Sequence, residues 1–192
     1  MQFVVVSGMS GAGKSKAVSI LEDFGYYCVD NMPAQMLPPF AKLCLADGGK
    51  YEHVALVTDV RGGDDFSALF ISLEELDEMG CKYNILFMEA APETIVRRYK
   101  ETRRKHPLLN PNTTLREAIQ KERMALMPVR ARATYIIDTT ALSNAKLRDE
   151  LRMMFARDER EAQMSVSVIS FGYKYGIPIE ADLVFRIYIR TK

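Results

Sequence analysis

Gly8-Met9-Ser10-Gly11-Ala12-Gly13-Lys14-Ser15 follows the apolar run Phe3 to Val6 and leads directly into a helical pattern. The spacing is Gly-x-x-x-x-Gly-Lys-Ser, in which a glycine-rich turn aims several backbone N–H groups inward as an anion-binding nest. Gly11 and Gly13 let the backbone approach phosphate oxygens, and the helix that follows presents its positive N-terminal end. Lys14 is expected to reach the β and γ phosphates and the Ser15 hydroxyl to hold Mg²⁺. A strand before the loop and a helix after it are the context that this motif requires.

Along the rest of the chain, up to about residue 160, the segments alternate. Strands are expected over Gln2 to Ser7, Tyr26 to Val29, His53 to Val60, Tyr83 to Glu89 and Ala133 to Asp138. Their apolar runs suit strands buried on both faces of a parallel sheet. Between them, helices are expected over Lys14 to Phe24, Gln35 to Leu45 and Phe66 to Met79, and from Pro92 to a basic run that Pro107 stops. Thr114-Leu115-Arg116-Glu117 is a capping box that opens a further helix, with Pro128 expected to close it, and Ser143 caps the last. This rhythm predicts a right-handed α/β sandwich. After residue 160 the texture changes, and Ser165 to Phe171 and Leu183 to Ile189 read as two β segments of a second unit.

With 192 residues, 48% of them hydrophobic and a formal net charge of +1, the chain can bury a core and has no global pull toward nucleic acid. Cys28, Cys44 and Cys81 have no C-x-x-C spacing, and His53 and His106 are the only histidines, so neither a disulfide framework nor a zinc cluster is expected. Phe3 to Val6 is too short to span a bilayer and no signal-peptide pattern precedes it, so a cytoplasmic protein is expected.

Three further groups of residues are candidates for the site. Asp59 ends an apolar strand, where a carboxylate can hold the magnesium shell, the favoured reading; the alternative is that it opens the turn with Arg61, Gly62 and Gly63. Asp30 falls after the second strand, on the rim where ligands of parallel sheets collect. There it is a candidate base for an acceptor hydroxyl, or only a turn carboxylate before Asn31 and Pro33. Arg97, Arg98, Arg103 and Arg104 belong to the basic run 97–107. They are read as a lid over the phosphates, as a solvated helix end favoured by the dipole, or as an RNA patch with Tyr99 among its cations. Asn-Lys-x-Asp, the guanine-reading pattern of many GTPases, is absent from the sequence, so GTP is not expected to be strongly preferred.

Several separated strings together resemble the RapZ/YvcJ family of bacterial nucleotide-binding proteins. They are the loop at 8–15, Val29-Asp30-Asn31-Met32-Pro33, Asp59-Val60-Arg61, Phe87-Met88-Glu89-Ala90, the run from Arg97 to Leu108, and Phe171-Gly172-Tyr173-Lys174-Tyr175-Gly176-Ile177-Pro178. The resemblance implies a kinase-like P-loop NTPase fold, a three-layer sandwich on a parallel five-stranded sheet over residues 1–160. It makes 161–192 the truncated start of a second domain. It also implies slow ATP and GTP hydrolysis with Mg²⁺, an ATP site on Gly8 to Ser15, and a GTP site on Asp59, Val60, Arg61 and Gly62. One branch of the family is an adaptor for small regulatory RNA, a role that relies on the C-terminal domain. The function expected is therefore a regulatory protein that binds and slowly hydrolyses ATP and GTP, with a small-molecule kinase using Asp30 and an RNA-binding adaptor as alternatives. The partners expected are a nucleoside triphosphate, an RNA or regulatory protein, and further copies of the chain in a homo-oligomer, with no membrane.

Overall fold

A computed structural model describes residues 2–46, 51–58, 67–156, 168–172, 176–177 and 183–185. The chain divides into two compact units, Met1–Glu161 and Ala162–Lys192.

In the first unit the elements alternate. They are β1 (Gln2–Gly8), α1 (Lys14–Asp23), β2 (Tyr27–Val29), a 3₁₀ turn (Ala34–Met36), α2 (Leu37–Ala46), β3 (His53–Val57), α3 (Ser67–Glu78), β4 (Lys82–Glu89), α4 (Pro92–Thr102), α5 (Leu115–Ala131), β5 (Tyr135–Asp138) and α6 (Asn144–Phe155). The five strands form one sheet in the order β2-β3-β1-β4-β5, every neighbouring pair parallel. β1 is central, with Val5 opposite Leu56 on one side and Ile85 on the other. Phe3 to Val6 are wholly buried, which accounts for an apolar run without alternation. The chain moves one way from β1 to β2 and the other way thereafter. Right-handed crossovers therefore put α1 and its neighbour α6 on one face, and the other connecting helices on the opposite face. Because the strands are parallel, their carboxyl ends make one rim, which carries the loop after β1.

Local signals explain the boundaries. Gly25 closes α1 at φ +80° with its N–H on the Glu22 carbonyl. Thr114 and Glu117 make both bonds of the capping box, and Ser143 accepts the Lys146 N–H. Pro38 and Pro39 sit in the first turn of α2, where a helix needs no N–H from them.

Three expectations do not hold. Pro128 does not end α5, which runs on to Ala131, because buried Val129 and the pairing of Arg130 with Glu89 hold the last turn. α4 stops at Thr102 rather than near Pro107: the Thr102 hydroxyl donates to the Arg98 carbonyl, and Arg103 turns left-handed at φ +53°. Half of the basic run therefore leaves the helix. In the second unit, the described residues 168–172 and 183–185 are not strand, and Val168 and Phe185 are largely exposed. The remainder of the two expected β segments lies outside the described residues. Among the described residues no helix is long and apolar enough to cross a membrane.

Candidate functional site

The loop at the carboxyl end of β1 is shaped from outside as well as from within. Gly8, at φ +131°, lies so close to β4 that a Cβ there would stand 2.1 Å from the Met88 carbonyl oxygen. The Met9 N–H donates to that same oxygen at 3.0 Å. The first glycine of the motif is thus required by strand packing. Gly11, at φ +81°, backs onto α4, where a Cβ would meet Tyr99 Cε2 at 3.1 Å. Gly13, at φ +101°, has open space where its Cβ would be, and it begins α1 without a side-chain cap. Lys14 Nζ lies over the loop, 2.7 Å from the Gly8 carbonyl and 3.2 Å from that of Met9. Ser15 is exposed at the head of the helix.

This donor set fits a phosphate chain. An uncapped helix N-terminus, an ammonium group and an exposed hydroxyl converge beside a glycine that leaves room for an anion. Ser15 Oγ is the described oxygen suited to a magnesium ion. Asp59, with Val60, Arg61 and Gly62, lies outside the described residues. Thr58, the last described residue before it, bonds through its N–H to the Val6 carbonyl, and its buried hydroxyl has no partner among the described residues.

Three side chains distant in sequence hold the loop. Glu122 of α5 accepts the Ser10 N–H through both oxygens, at 3.1 and 3.0 Å, and the Ser10 hydroxyl at 2.6 Å. Behind it, His106 Nε2 lies 3.1 Å from Glu122 Oε2, with the imidazole fully buried. Burial alone would raise the Glu122 carboxyl, but the hydrogen bonds from His106 and Ser10 outweigh it and leave it below the ordinary carboxylate value. On the other flank, Arg98 Nη1 donates to the Gly11 carbonyl at 2.9 Å and to Thr139 Oγ1 at 3.0 Å, and Nη2 donates to the Thr139 carbonyl at 2.8 Å. Thr139 Oγ1 lies 2.8 Å from the Ala12 carbonyl. Beside this, Arg130 pairs bidentately with Glu89 at 2.8 and 3.0 Å and holds that carboxyl below its usual range.

The structure brings only part of the basic run to the loop. Arg98 is turned inward onto backbone carbonyls, whereas Arg97, Arg103 and Arg104 are exposed, and among the described residues no hydrogen bond or ion pair ties them to the loop. Asp30 is exposed at the carboxyl end of the edge strand β2, and its Oδ1 accepts the Asn31 N–H at 2.8 Å. Sequence reasoning missed Glu122 and Thr139 altogether and left His106 as a lone histidine. Thr139 follows a strand end on the ligand-bearing rim, a signal that was available. Glu122 is 112 residues from Ser10, inside an ordinary charged helix, and carries no local signal.

Residues 1–159 match the family described as the RapZ-like N-terminal domain. A nucleotide-binding protein of Alkaliphilus oremlandii is 46% identical over 187 residues, a match covering 97% of this chain and 64% of that protein. One of Desulforamulus reducens is 48% identical, over 97% of this chain and 62% of the relative. The chain thus spans somewhat less than two thirds of the length of these relatives. Among solved structures, shikimate kinase from Acinetobacter baumannii in complex with shikimate is similar with a TM-score of 0.53 at 14% identity, covering 79% of this chain and 92% of that one. Shikimate kinase from Bacteroides thetaiotaomicron gives 0.50 at 15%, covering 79% and 97%. These likenesses show the fold, a kinase-like P-loop α/β sandwich.

Proposed function

The chain belongs to the RapZ-like N-terminal domain family, and on that premise we propose that it is a regulatory protein that binds ATP and GTP and hydrolyses them slowly. The observation that carries the reading is the loop Gly8 to Ser15, with Lys14 Nζ poised over it and α1 uncapped behind it.

The loop amides and the first turn of α1 bind phosphate oxygens, and Lys14 moves from the Gly8 and Met9 carbonyls onto the phosphates. Ser15 Oγ, with Asp59, would hold Mg²⁺, which when bound neutralises charge on the phosphate oxygens. Arg98 shapes the loop, because its guanidinium is already committed to carbonyls; Arg97, Arg103 and Arg104 remain the candidates for closing over the site. Slow turnover suits this arrangement. Glu122, the carboxylate bonded to the loop, has its lone pairs taken by Ser10 and His106 and is a poor base for an attacking water.

A second reading rests on Asp30, exposed at the carboxyl end of β2: a small-molecule kinase in which it takes the proton of an acceptor hydroxyl. Titration with ATP, GTP and their non-hydrolysable analogues, with and without Mg²⁺, beside phosphate release, tests the first reading. Comparable affinities for both nucleotides, lost in Lys14→Ala, are expected. Absence of binding, or a hundredfold preference for GTP, counts against it. Tenfold stimulation of ATP turnover by one metabolite, with a phosphorylated product, would establish the kinase instead.

A further inference from the structure

A buried histidine at the end of an exposed cationic string needs a reason. Arg103, Arg104 and Lys105 are exposed, yet His106 immediately after them is 2% exposed. Its two ring nitrogens are both used: Nδ1 accepts the Leu108 N–H at 3.2 Å, and Nε2 faces Glu122 at 3.1 Å. A nitrogen that accepts from a backbone N–H carries no proton, so the network assigns the proton to Nε2, donating to the carboxylate. Tyr99 packs against the same ring at 5.2 Å and also backs Gly11. The hydrogen bonds are therefore continuous from the loop to the turn that directly follows the cationic segment: Ser10, Glu122, His106, the Leu108 amide.

We propose that Glu122 is a positioning residue through which occupancy of the phosphate loop is relayed to the cationic segment 103–105. This inference rests on the nucleotide reading above. Glu122 is an anion already seated on the donors of a loop built for anions. A triphosphate entering the loop competes with it for Ser10 and repels it, loosening the bond to His106, the residue next in the chain after Lys105, and with it the turn at 106–108. Arg97, Arg103, Arg104 and Lys105 then present a different surface with and without nucleotide. Coupling of this kind is reciprocal: if a triphosphate weakens the Glu122–His106 bond, weakening that bond raises triphosphate affinity by the same factor.

The test is imidazole NMR on the 192-residue chain. It has only two histidines, so His106→Gln assigns the signal. Saturation of the wild type with a non-hydrolysable ATP analogue and Mg²⁺ is expected to shift the His106 Nε2–H resonance, and ADP to shift it less. In Glu122→Gln the response is lost while nucleotide still binds, and the ratio of triphosphate to diphosphate affinity rises roughly fivefold or more, the low end of ordinary allosteric coupling. Glu122→Asp, which keeps the charge with a shorter reach, stands in should the glutamine variant fail to fold. A His106 signal that stays fixed at saturating nucleotide overturns the relay while leaving nucleotide binding intact, as does an unchanged response and ratio in the folded variants. Absence of nucleotide binding by the wild type overturns the nucleotide reading and this inference with it.

Discussion

The guanidinium of Arg98 donates to the carbonyl of Gly11 at 2.9 Å, so α4 grips the phosphate loop by its backbone. The same group holds Thr139 by its hydroxyl and its carbonyl, which ties the loop to the end of β5. A lysine cannot reproduce that fork. Arg98→Lys is expected to lose about 1–3 kcal/mol in denaturant unfolding, the range for leaving the acceptors of a buried residue, here Thr139, unpaired. Nucleotide affinity, followed by calorimetry, should fall with it as the loop loosens.

Gly8 and Gly13 should differ in kind. Gly8→Ala drives a Cβ into the Met88 backbone, so it combines backbone strain with overlap that no rotamer relieves. About 3 kcal/mol or more of stability should be lost. Gly13→Ala meets nothing within 4 Å and bears only the strain of its positive φ, about 1–2 kcal/mol. Its methyl group would project into the open space at the head of α1, so nucleotide affinity should fall more than stability. Thermal unfolding and nucleotide titration of the two variants distinguish these outcomes.

Glu122 makes the folded state sensitive to acid. Its folded-state pKa is lowered, burial being outweighed by the His106 and Ser10 bonds. Its contribution is therefore present above the unfolded carboxylate value and lost as pH falls through the lower, folded one. Unfolding free energy measured from pH 7 down through the carboxylate range should decline more steeply in the wild type than in Glu122→Gln. At pH 7 the variant should be less stable by about 1–3 kcal/mol, since Ser10 loses acceptors. Parallel curves would remove Glu122 from the acid response.

Arg130 is expected to matter for β4 and for the last turn of α5 together. Arg130→Ala leaves Glu89 partly buried beside Asp138 without its bidentate partner. Stability in denaturant unfolding should fall, by less than for a fully buried pair because Arg130 keeps solvent access. The Glu89 carboxyl, now held low chiefly by the Arg130 hydrogen bond, should rise toward its ordinary value, which carbon-detected NMR titration reads directly.

Local periodicity and short motifs encode the part of this fold that can be read residue by residue. The apolar run Phe3 to Val6, the glycine spacing 8–15, the Thr114 capping box and the closing Gly25 each act within a few residues, so alternating strands and helices and a phosphate-type loop were legible without the fold. The strand order, the continuation of α5 past Pro128 and the escape of Arg103 to His106 from α4 were decided by packing. So was the company kept by the loop. Periodicity says which face of α5 is buried, but not that Glu122 meets Ser10 across 112 residues, nor that Arg98 turns inward while Arg97 and Arg104 stay in water. Such pairings depend on how the helices seat against the sheet and on the need of each buried polar atom for a partner, and both arise only once the chain has closed on itself.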